Sequence, residues 1–575
     1  MIPETLLEEL KNAELPELSE ELFSLFEREG NRVKYEAVYF ERRKLLAVFG
    51  LNAIKQHIVS EKLIQIIEGI CDEETWALPA HCNREKDSDW RHTVDLFNCE
   101  TGCALALIYN DLKDILPEKL WKRMLDEIYS RVISPFFFEN KQFGWEGAHH
   151  NWNAVCGGSI GVILLCAPEL VKDKMPVEEA LGRINRSLNT YIDKGFSEDG
   201  ACLEGMGYYN YGLSFFLGYA RRLKDFTKGK MNLLDNAKLR LIAEFPKAIY
   251  FRQGSVVNFS DADTDEKIYR GIIKSFEDLY GIKYNLPECV FAEFDTDTCY
   301  RFITLYDDMA CDASEAPLEG LPETEGKIAR TNLLEAAQWL ICENHQGAGF
   351  AIKGGNNDEP HNHNDVGSYV LYSDSGAVVC DLGKGVYTKD YFGAGRYDIL
   401  CCSSLGHSLP VIGGQGQKAG AMHRADSFEV VEDEKKVTVK IDMTSAYDIP
   451  KVKRVLRTAV FYKEPGDFKG GILKNVLVVR DEVHTDQDFE DSQMHTRVIS
   501  RIKNMKNLNV RMANEYIRYG DSVTAEPCPN YSFSCEKHMN HQDEPEEIYV
   551  YKIPFCEGEQ KEGYKEFVIE YSLAI

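Results

Sequence analysis

The sequence predicts an α+β multidomain protein, an array of helix pairs followed by a large antiparallel β-sandwich. Three observations carry that expectation. The chain has 575 residues, more than one ordinary hydrophobic core organises, so two large domains are expected. Over roughly its first 300 residues, apolar side chains recur at three- and four-residue spacing, the period of amphipathic helices. After about residue 325 the segments are short, β-branched and partly alternating, the period of strands.

The helical segments come first. YEAVYFERRKLLAVFGLNAIKQHIV, VDLFNCETGCALALIYNDL and PEKLWKRMLDEIYSRVI open the series. NWNAVCGGSIGVILLCA, PVEEALGRINRSLNTYIDKGF and YYNYGLSFFLGYARRL continue it. Short Gly, Pro, Asp and Asn breaks separate them, so consecutive helices fold back as hairpins, stacked as a solenoid or closed into a toroid. No strict repeat fixes which. The stretch around 282–335 reads as a bridge, giving a helical domain over 1–300, a linker over 301–335 and a sandwich over 336–575. Strands follow in GAGFAIKGG, GSYVLYSDSGAVVCDLG, SFEVVEDEKKVTVKIDM, VKRVLRTAVFYKE, GILKNVLVVRDEV and EFVIEYSLAI, with hairpin turns at SDSG (373–376) and EDEKK (432–436).

Composition narrows the partners. Net charge is −27 with a pI near 5.1, a field that repels phosphate backbones, so nucleic acid is not expected. An anionic substrate needs a local basic or metal-bearing cleft to override that field. There is no run of about 18 apolar residues and no basic-then-apolar leader, which points to a cytoplasmic protein without a membrane span. The 17 cysteines are odd in number and form no CxxC pair, the pattern of buried free thiols in a reducing compartment.

Three clusters carry candidate chemistry. In GWEGAHHNWNAVCGGSIG (144–161), His149, His150, Asn151 and Asn153 crowd the start of an apolar helix beside Trp145 and Trp152. One Asn there is an ordinary cap; four polar groups beside two indoles suggest a sugar platform. In DGACLEGMGYYNYGLSFFLGYARRL, irregular glycines lead into a helix whose first turns hold Tyr208, Tyr209 and Tyr211. Tyr208 and Tyr211 share a face, and a phenol at a cleft rim can serve as acid or base. The third is EPHNHNDVGSYVLYSDSGAVVCDLGKG with GHSLPVIGG. If 361–363 is extended, His361 and His363 point to one side. With Asp381 and His407 they suggest a divalent metal site, zinc by donor type. A hairpin closed at SDSG puts Asp381 opposite about Ser368, so HNHND must bend back to reach it.

At these residues the chain resembles the heparinase II/III-like polysaccharide lyases. The resemblance lies in HHNWNAVCGGSIGV, DGACLEGMGYYNYGLSFF, EPHNHNDVGSYVLYSDSGAVVCDLGKGVYT and GHSLPVIGGQGQ, and covers about 90–420. It implies an N-terminal (α/α) incomplete toroid packed on a C-terminal antiparallel β-sandwich, with the active site in the cleft between them. The implied reaction is β-elimination at a uronic acid, leaving a 4,5-unsaturated end. By resemblance, Asn151 with His150 neutralises the substrate carboxylate, Tyr208 or Tyr211 is the catalytic tyrosine, and His361 the catalytic histidine. His363, Asp381 and His407 match the ligands of a structural or orienting metal: zinc, with manganese or calcium as alternatives. Relatives resemble NN or NNH where this chain has HHN, so the neutralising role is shared between His150 and Asn151, with Asn153 in reserve.

Arg91, His92 and Arg396, with Arg424 behind them, are candidates for gripping an acidic sugar, and Trp145, Trp152, Asn153 and Glu204 for lining its site. The expected partner is an acidic oligosaccharide or polysaccharide, with a homo-oligomer left open. Two other readings compete. A glycoside hydrolase on the same toroid needs two carboxylates, for which Glu146, Asp199 and Glu204 are available. A non-catalytic carbohydrate-binding protein needs neither phenol nor carboxylate.

Overall fold

The computed structural model describes residues 2–574 apart from 140–141, 313–328, 374–375, 468–473, 487–488, 490–492, 504–507, 513–514, 519–531 and 562. Helices run from Glu4–Leu10 to Phe302–Asp312, and strands from Arg330–Leu334 to Tyr564–Ala574. This is the expected helical toroid followed by an antiparallel sandwich. The bridge expected over 301–335 holds a helix at its start and a strand at its end; 313–328 lie outside the described residues. No helix among the described residues is long and apolar enough to cross a membrane. The described cysteines are all free.

The helix Asn151–Cys166 sits at the centre of the toroid, against Leu96–Leu112, Val177–Lys194 and Met206–Phe226. It is apolar all round because it is enclosed all round. Its glycines set the approach: a β-carbon at Gly158 would come within 2.6 Å of the Phe215 carbonyl oxygen, and one at Gly161 within 2.4 Å of the Tyr219 ring.

The first sheet takes Arg330–Leu334, Trp339–Glu343, Gly349–Lys353, Tyr369–Ser373 and Gly376–Val379 in chain order. Its three central strands are buried on both faces. Trp339, Ile341, Ala351, Val370 and Tyr372 pack into the toroid core, while Leu340, Phe350, Ile352, Tyr369 and Leu371 face the rest of the sandwich. Period-two alternation thus makes one sheet the middle layer between two cores. Ser373 pairs with Gly376, so the expected hairpin forms, although positions 374–375 of its turn lie outside the described residues. The second expected hairpin pairs Val437 with Glu432.

Two loops that reach the cleft are tied to a buried ion pair in the sandwich. Arg457 and Asp481 are both fully buried, with Nε and Nη2 on the two carboxylate oxygens at 2.7 and 2.8 Å. Arg457 Nη1 also donates to the carbonyls of Gly367 and Ser408 at 2.7 Å, two residues before the strand that follows HNHND and one after His407. Removing one partner strands the other charge in the core. Arg457→Ala is therefore expected to cost about 3–5 kcal/mol of stability, read as a lowered urea midpoint with unchanged slope.

Candidate active site

The site is organised around a residue that sequence patterns do not single out. Asp261 lies in an irregular segment of the toroid, after Ser260 at φ +67°, and is 1% exposed. Its carboxylate accepts from His361 Nδ1 at 2.8 Å, His363 Nε2 at 3.0 Å, Arg396 Nη2 at 3.0 and 3.1 Å, and the Tyr391 hydroxyl. Burial alone raises a carboxyl's pKa. The two imidazoles and the guanidinium reverse that and hold Asp261 well below the usual carboxylate range.

Because an ionised carboxylate only accepts, it fixes which nitrogen of each histidine donates. His361 spends Nδ1 on Asp261, which leaves Nε2 at 3.6 Å from Glu204 Oε2. His363 spends Nε2, which leaves Nδ1 for the opposite side. The expectation of an extended 361–363 is corrected: His361 is left-handed, at φ +56°. Such a conformation for a non-glycine residue is strained, and here the hydrogen bonds of His361 and His363 to Asp261 hold the segment.

His363 Nδ1, Asp381 Oδ2 and His407 Nδ1 lie within 4.8 Å of one another. All three atoms are buried; His407 Nδ1 lies 3.1 Å from Asp381 Oδ2 as an ion pair, and none of the three makes a hydrogen bond of good geometry. HNHND does bend back, past Gly367 at φ +84°, and the hairpin continues Asp381 to the same point. His407 Nε2 lies 2.9 Å from the Cys401 carbonyl, to which it donates, and Asp381 Oδ1 accepts from Gly383 at 2.9 Å. Those contacts orient the remaining donor atoms toward each other. Burial pushes His363 down, but its contacts with Asp261 and Cys402 outweigh that and raise it to about 10. Two imidazoles and a carboxylate with their donor atoms converging in a buried pocket fit a divalent metal of the zinc type.

Tyr208 stands in the first turn of the helix Met206–Phe226, which Gly205 starts at φ +96°. A β-carbon at Gly205 would meet the Ala262 side chain at 2.7 Å, so the glycine lets this helix approach the Asp261 segment. The Tyr208 ring stacks on His361 with centroids 4.0 Å apart, and its hydroxyl lies 2.8 Å from that of Tyr387. Burial, then the charge of Asp261, push its phenol above the ordinary value. Tyr211, one turn on, is directed elsewhere: its hydroxyl donates to Glu100 and Arg301 covers its ring at 3.7 Å. The structure therefore separates the two tyrosines and brings only Tyr208 to His361.

Asn151 is the first residue of its helix, with His150 as the cap. Asn151 Oδ1 and Glu204 Oε2 are both buried without a hydrogen-bond partner. Burial raises Glu204 to about 7, against the opposing influence of His361 and the Asn151 backbone. Burial, then His361 and His149, lower His150.

Several sequence assignments are corrected. Asn153 is fully used inside the fold, its amide donating to Ala148 O at 3.0 Å and Ser187 O at 2.9 Å and its oxygen accepting from Ser187. Trp145 is core, stacked on Phe136 at 5.4 Å with its indole N–H on Val94 O. Only Trp152 stays half-buried, edge-on to His81 at 4.7 Å. Arg396 supports the site from behind, since its nitrogens are spent on Asp261, Asn362 O and Tyr391 O. Arg91 and His92 pair with Glu74 and Asp89 on an exposed turn, and exposed Arg424 lies opposite Asn356 in a short ladder. Of the drafted carboxylates, Glu146 is paired with Arg183 and Asp199 accepts from Ala336 N, whereas Glu204 is left open.

No family model matches this chain, and no curated protein matches it by sequence. Solved structures do. Heparan sulfate lyase HepC from Pedobacter heparinus superposes with a TM-score of 0.53 at 13% identity, over 98% of this chain and 84% of that one. A heparinase III superposes with a TM-score of 0.53 at 13% identity, over 96% and 75%. At such identity the likeness establishes the fold.

The buried carboxyl of Glu204 makes a measurable statement about pH. The folded protein keeps a proton that the unfolded chain loses near 4.5, so this group's contribution to stability falls as pH rises toward about 7. Unfolding titrations of the wild type and Glu204→Gln are expected to diverge across that window, the Gln variant gaining about 3 kcal/mol relative to wild type by its upper end. Parallel curves would show that Glu204 titrates normally.

Proposed function

We propose that the chain is a lyase that cleaves uronic-acid-containing oligosaccharides or polysaccharides by β-elimination. The observation that carries this reading is Tyr208 stacked on a histidine whose other nitrogen is held by a buried aspartate, facing Asn151 and Glu204. Elimination needs that set. The proton at carbon 5 is weakly acidic, and its removal pushes charge toward the neighbouring carboxylate.

Asn151, at the positive end of a buried helix and beside His150, is placed to bind that carboxylate and stabilise the enolate-like state. Glu204, protonated below about 7, can donate a hydrogen bond to it as well. His361 takes the carbon-5 proton through Nε2, with Asp261 holding the imidazole as it becomes charged. Tyr208 keeps its proton at neutral pH because burial raises the phenol, so it protonates the departing oxygen at carbon 4. The C5–H and C4–O bonds break, the C4=C5 double bond forms, and the two protons balance between His361 and Tyr208. Hydrolysis is supported less well: of the three drafted carboxylates only Glu204 is open, and that reaction needs two.

His363, Asp381 and His407 would hold a divalent metal, zinc by donor set, with manganese or calcium as alternatives. Bound there, it would lock the HNHND loop so that His361 faces the cleft. Two imidazoles and one carboxylate suit zinc or manganese better than calcium, which prefers an all-oxygen shell.

Ultraviolet absorbance during incubation with uronic-acid oligosaccharides reads the reaction directly, because elimination creates a conjugated chromophore and hydrolysis creates only reducing ends. Tyr208→Phe and His361→Ala are each expected to lower kcat by about 10²–10⁴-fold, while Tyr211→Phe stays within about tenfold of wild type. Equal losses at Tyr208 and Tyr211 would defeat the assignment.

Elemental analysis of purified protein is expected to find one zinc-type ion per chain, absent from His407→Ala. Chelation is expected to lower the Tm of the wild type and leave that variant unchanged. A Tm indifferent to chelator, with no metal found, removes the metal from the proposal.

A further inference from the structure

Outside the catalytic cluster, side chains around the cleft are linked neighbour to neighbour in a circuit that crosses twice between toroid and sandwich. One crossing is the site itself, where His361 of the sandwich meets Tyr208 and Glu204 of the toroid. The other is made by Arg32, at the start of the toroid helix Val33–Gln56. Arg32 lies over the ring of Phe392, at 5.8 Å, and Phe392 stands edge-on to His361, with centroids 6.4 Å apart. Beside it the chain passes so close to the sandwich that a β-carbon on Gly30 would fall 3.2 Å from the Lys389 side chain.

The circuit closes through the toroid. Arg32 pairs with Glu36, the two side chains only 13% and 16% exposed. Both belong to the start of the helix Val33–Gln56, whose Phe40 packs on Phe97 with centroids 5.6 Å apart, and Phe97 in turn stacks on His81 at 6.0 Å. His81 Nδ1 is fixed by Asp95 Oδ2 at 2.6 Å, and its ring meets Phe97 and Trp152. Trp152 adjoins Asn151, and so the path returns to the site.

We infer that the cleft is a closed-ended pocket that takes the end of an acidic oligosaccharide, with Arg32, His81, Trp152 and Phe392 as the wall around the terminal sugar. Its chemistry suits that ligand. Trp152 is half-buried and Phe392 is 52% exposed at the rim, so each offers a face to a sugar ring. His81, oriented by Asp95, and the Arg32–Glu36 pair supply the polar contacts that tell a chain end from a continuing chain. A groove that accepts the middle of a polymer must be open at both ends. Here the Arg32–Phe392 contact joins toroid to sandwich directly beside His361, which on this reading closes one of them. The net charge of −27 acts in the same sense, since a polyanion extending over the outer surface is repelled.

The inference rests on the lyase reading for the bond that is cut, but the pocket is testable without it. Tetrasaccharides and their parent polymers from heparan, chondroitin, hyaluronan and alginate serve as probes. On the active polymer, one small product size is expected from the earliest conversion; a ladder of sizes would overturn the pocket. Arg32→Ala and Phe392→Ala, separately and together, are expected to raise the rate on polymer relative to tetrasaccharide by about tenfold and to introduce longer products. An unchanged ratio in all three variants counts against the wall.

Binding is read separately, by tryptophan fluorescence in Tyr208→Phe, with the tetrasaccharide blocked at one end or the other. Affinity lost on blocking one end alone supports the pocket. Equal binding of both blocked forms, or binding of none of the probes, overturns it. End-dependent binding without any chromophore in the wild type would retain the pocket and remove the lyase.

Discussion

A single buried carboxylate holds this site together. Asp261 is out of contact with water, yet two imidazoles, a guanidinium and a phenol converge on it. An isolated charge there would cost far more than the fold can supply, so the four donors are a condition of its burial. The same condition sorts the histidines. With Nδ1 of one and Nε2 of the other committed, His361 is left facing the cleft and His363 the Asp381–His407 pair. Arg396 and Tyr391 belong to this support, which explains why a cleft arginine is spent on protein atoms.

Asp261 comes from the toroid and its donors from the sandwich, so the site exists only where the two domains meet. Their union is more than a surface contact. The first sheet contributes alternate residues to both cores, and Tyr372 reaches from it to Val256 and Asn258, just upstream of Asp261. On the far side, Arg457 ties down the carbonyls next to the loops carrying His363 and His407. On the near side, Gly205 lets the Tyr208 helix close on Ala262. The proposed acid, base and carboxylate-binding groups are thus each fixed by backbone packing several residues away, which limits how far they can drift from one another.

Much of this was legible beforehand. Period 3.6 and period 2 identified the two domains, and the clusters at 149–153, 208–211 and 361–407 all contribute to one cleft. Residue type within a cluster was less informative. Asn153 and Trp145 carry the right chemistry but are consumed by capping and packing, while Asn151 and Trp152, each one position away, are not. Along a helix a shift of one residue turns a side chain by 100°, so the outcome depends on which neighbours enclose that face. Tyr208 and Tyr211 share a face in sequence, yet lie against different partners, Tyr208 on His361 and Tyr211 on Glu100 and Arg301.

The sequence by itself determined the order of helical and sandwich domains, the hairpins, and the segments that carry candidate chemistry. These follow from local periodicity and turn chemistry, which neighbouring residues encode. Only the tertiary structure decided that Asp261 joins the histidines, that Tyr208 rather than Tyr211 meets His361, that Arg396 braces the site from behind, and that Arg32 reaches Phe392. Asp261 is separated from His361 by a hundred residues and sits in a segment with no apolar period to mark it. Its role comes from what burial demands of a charge, and burial is a property of the assembled fold.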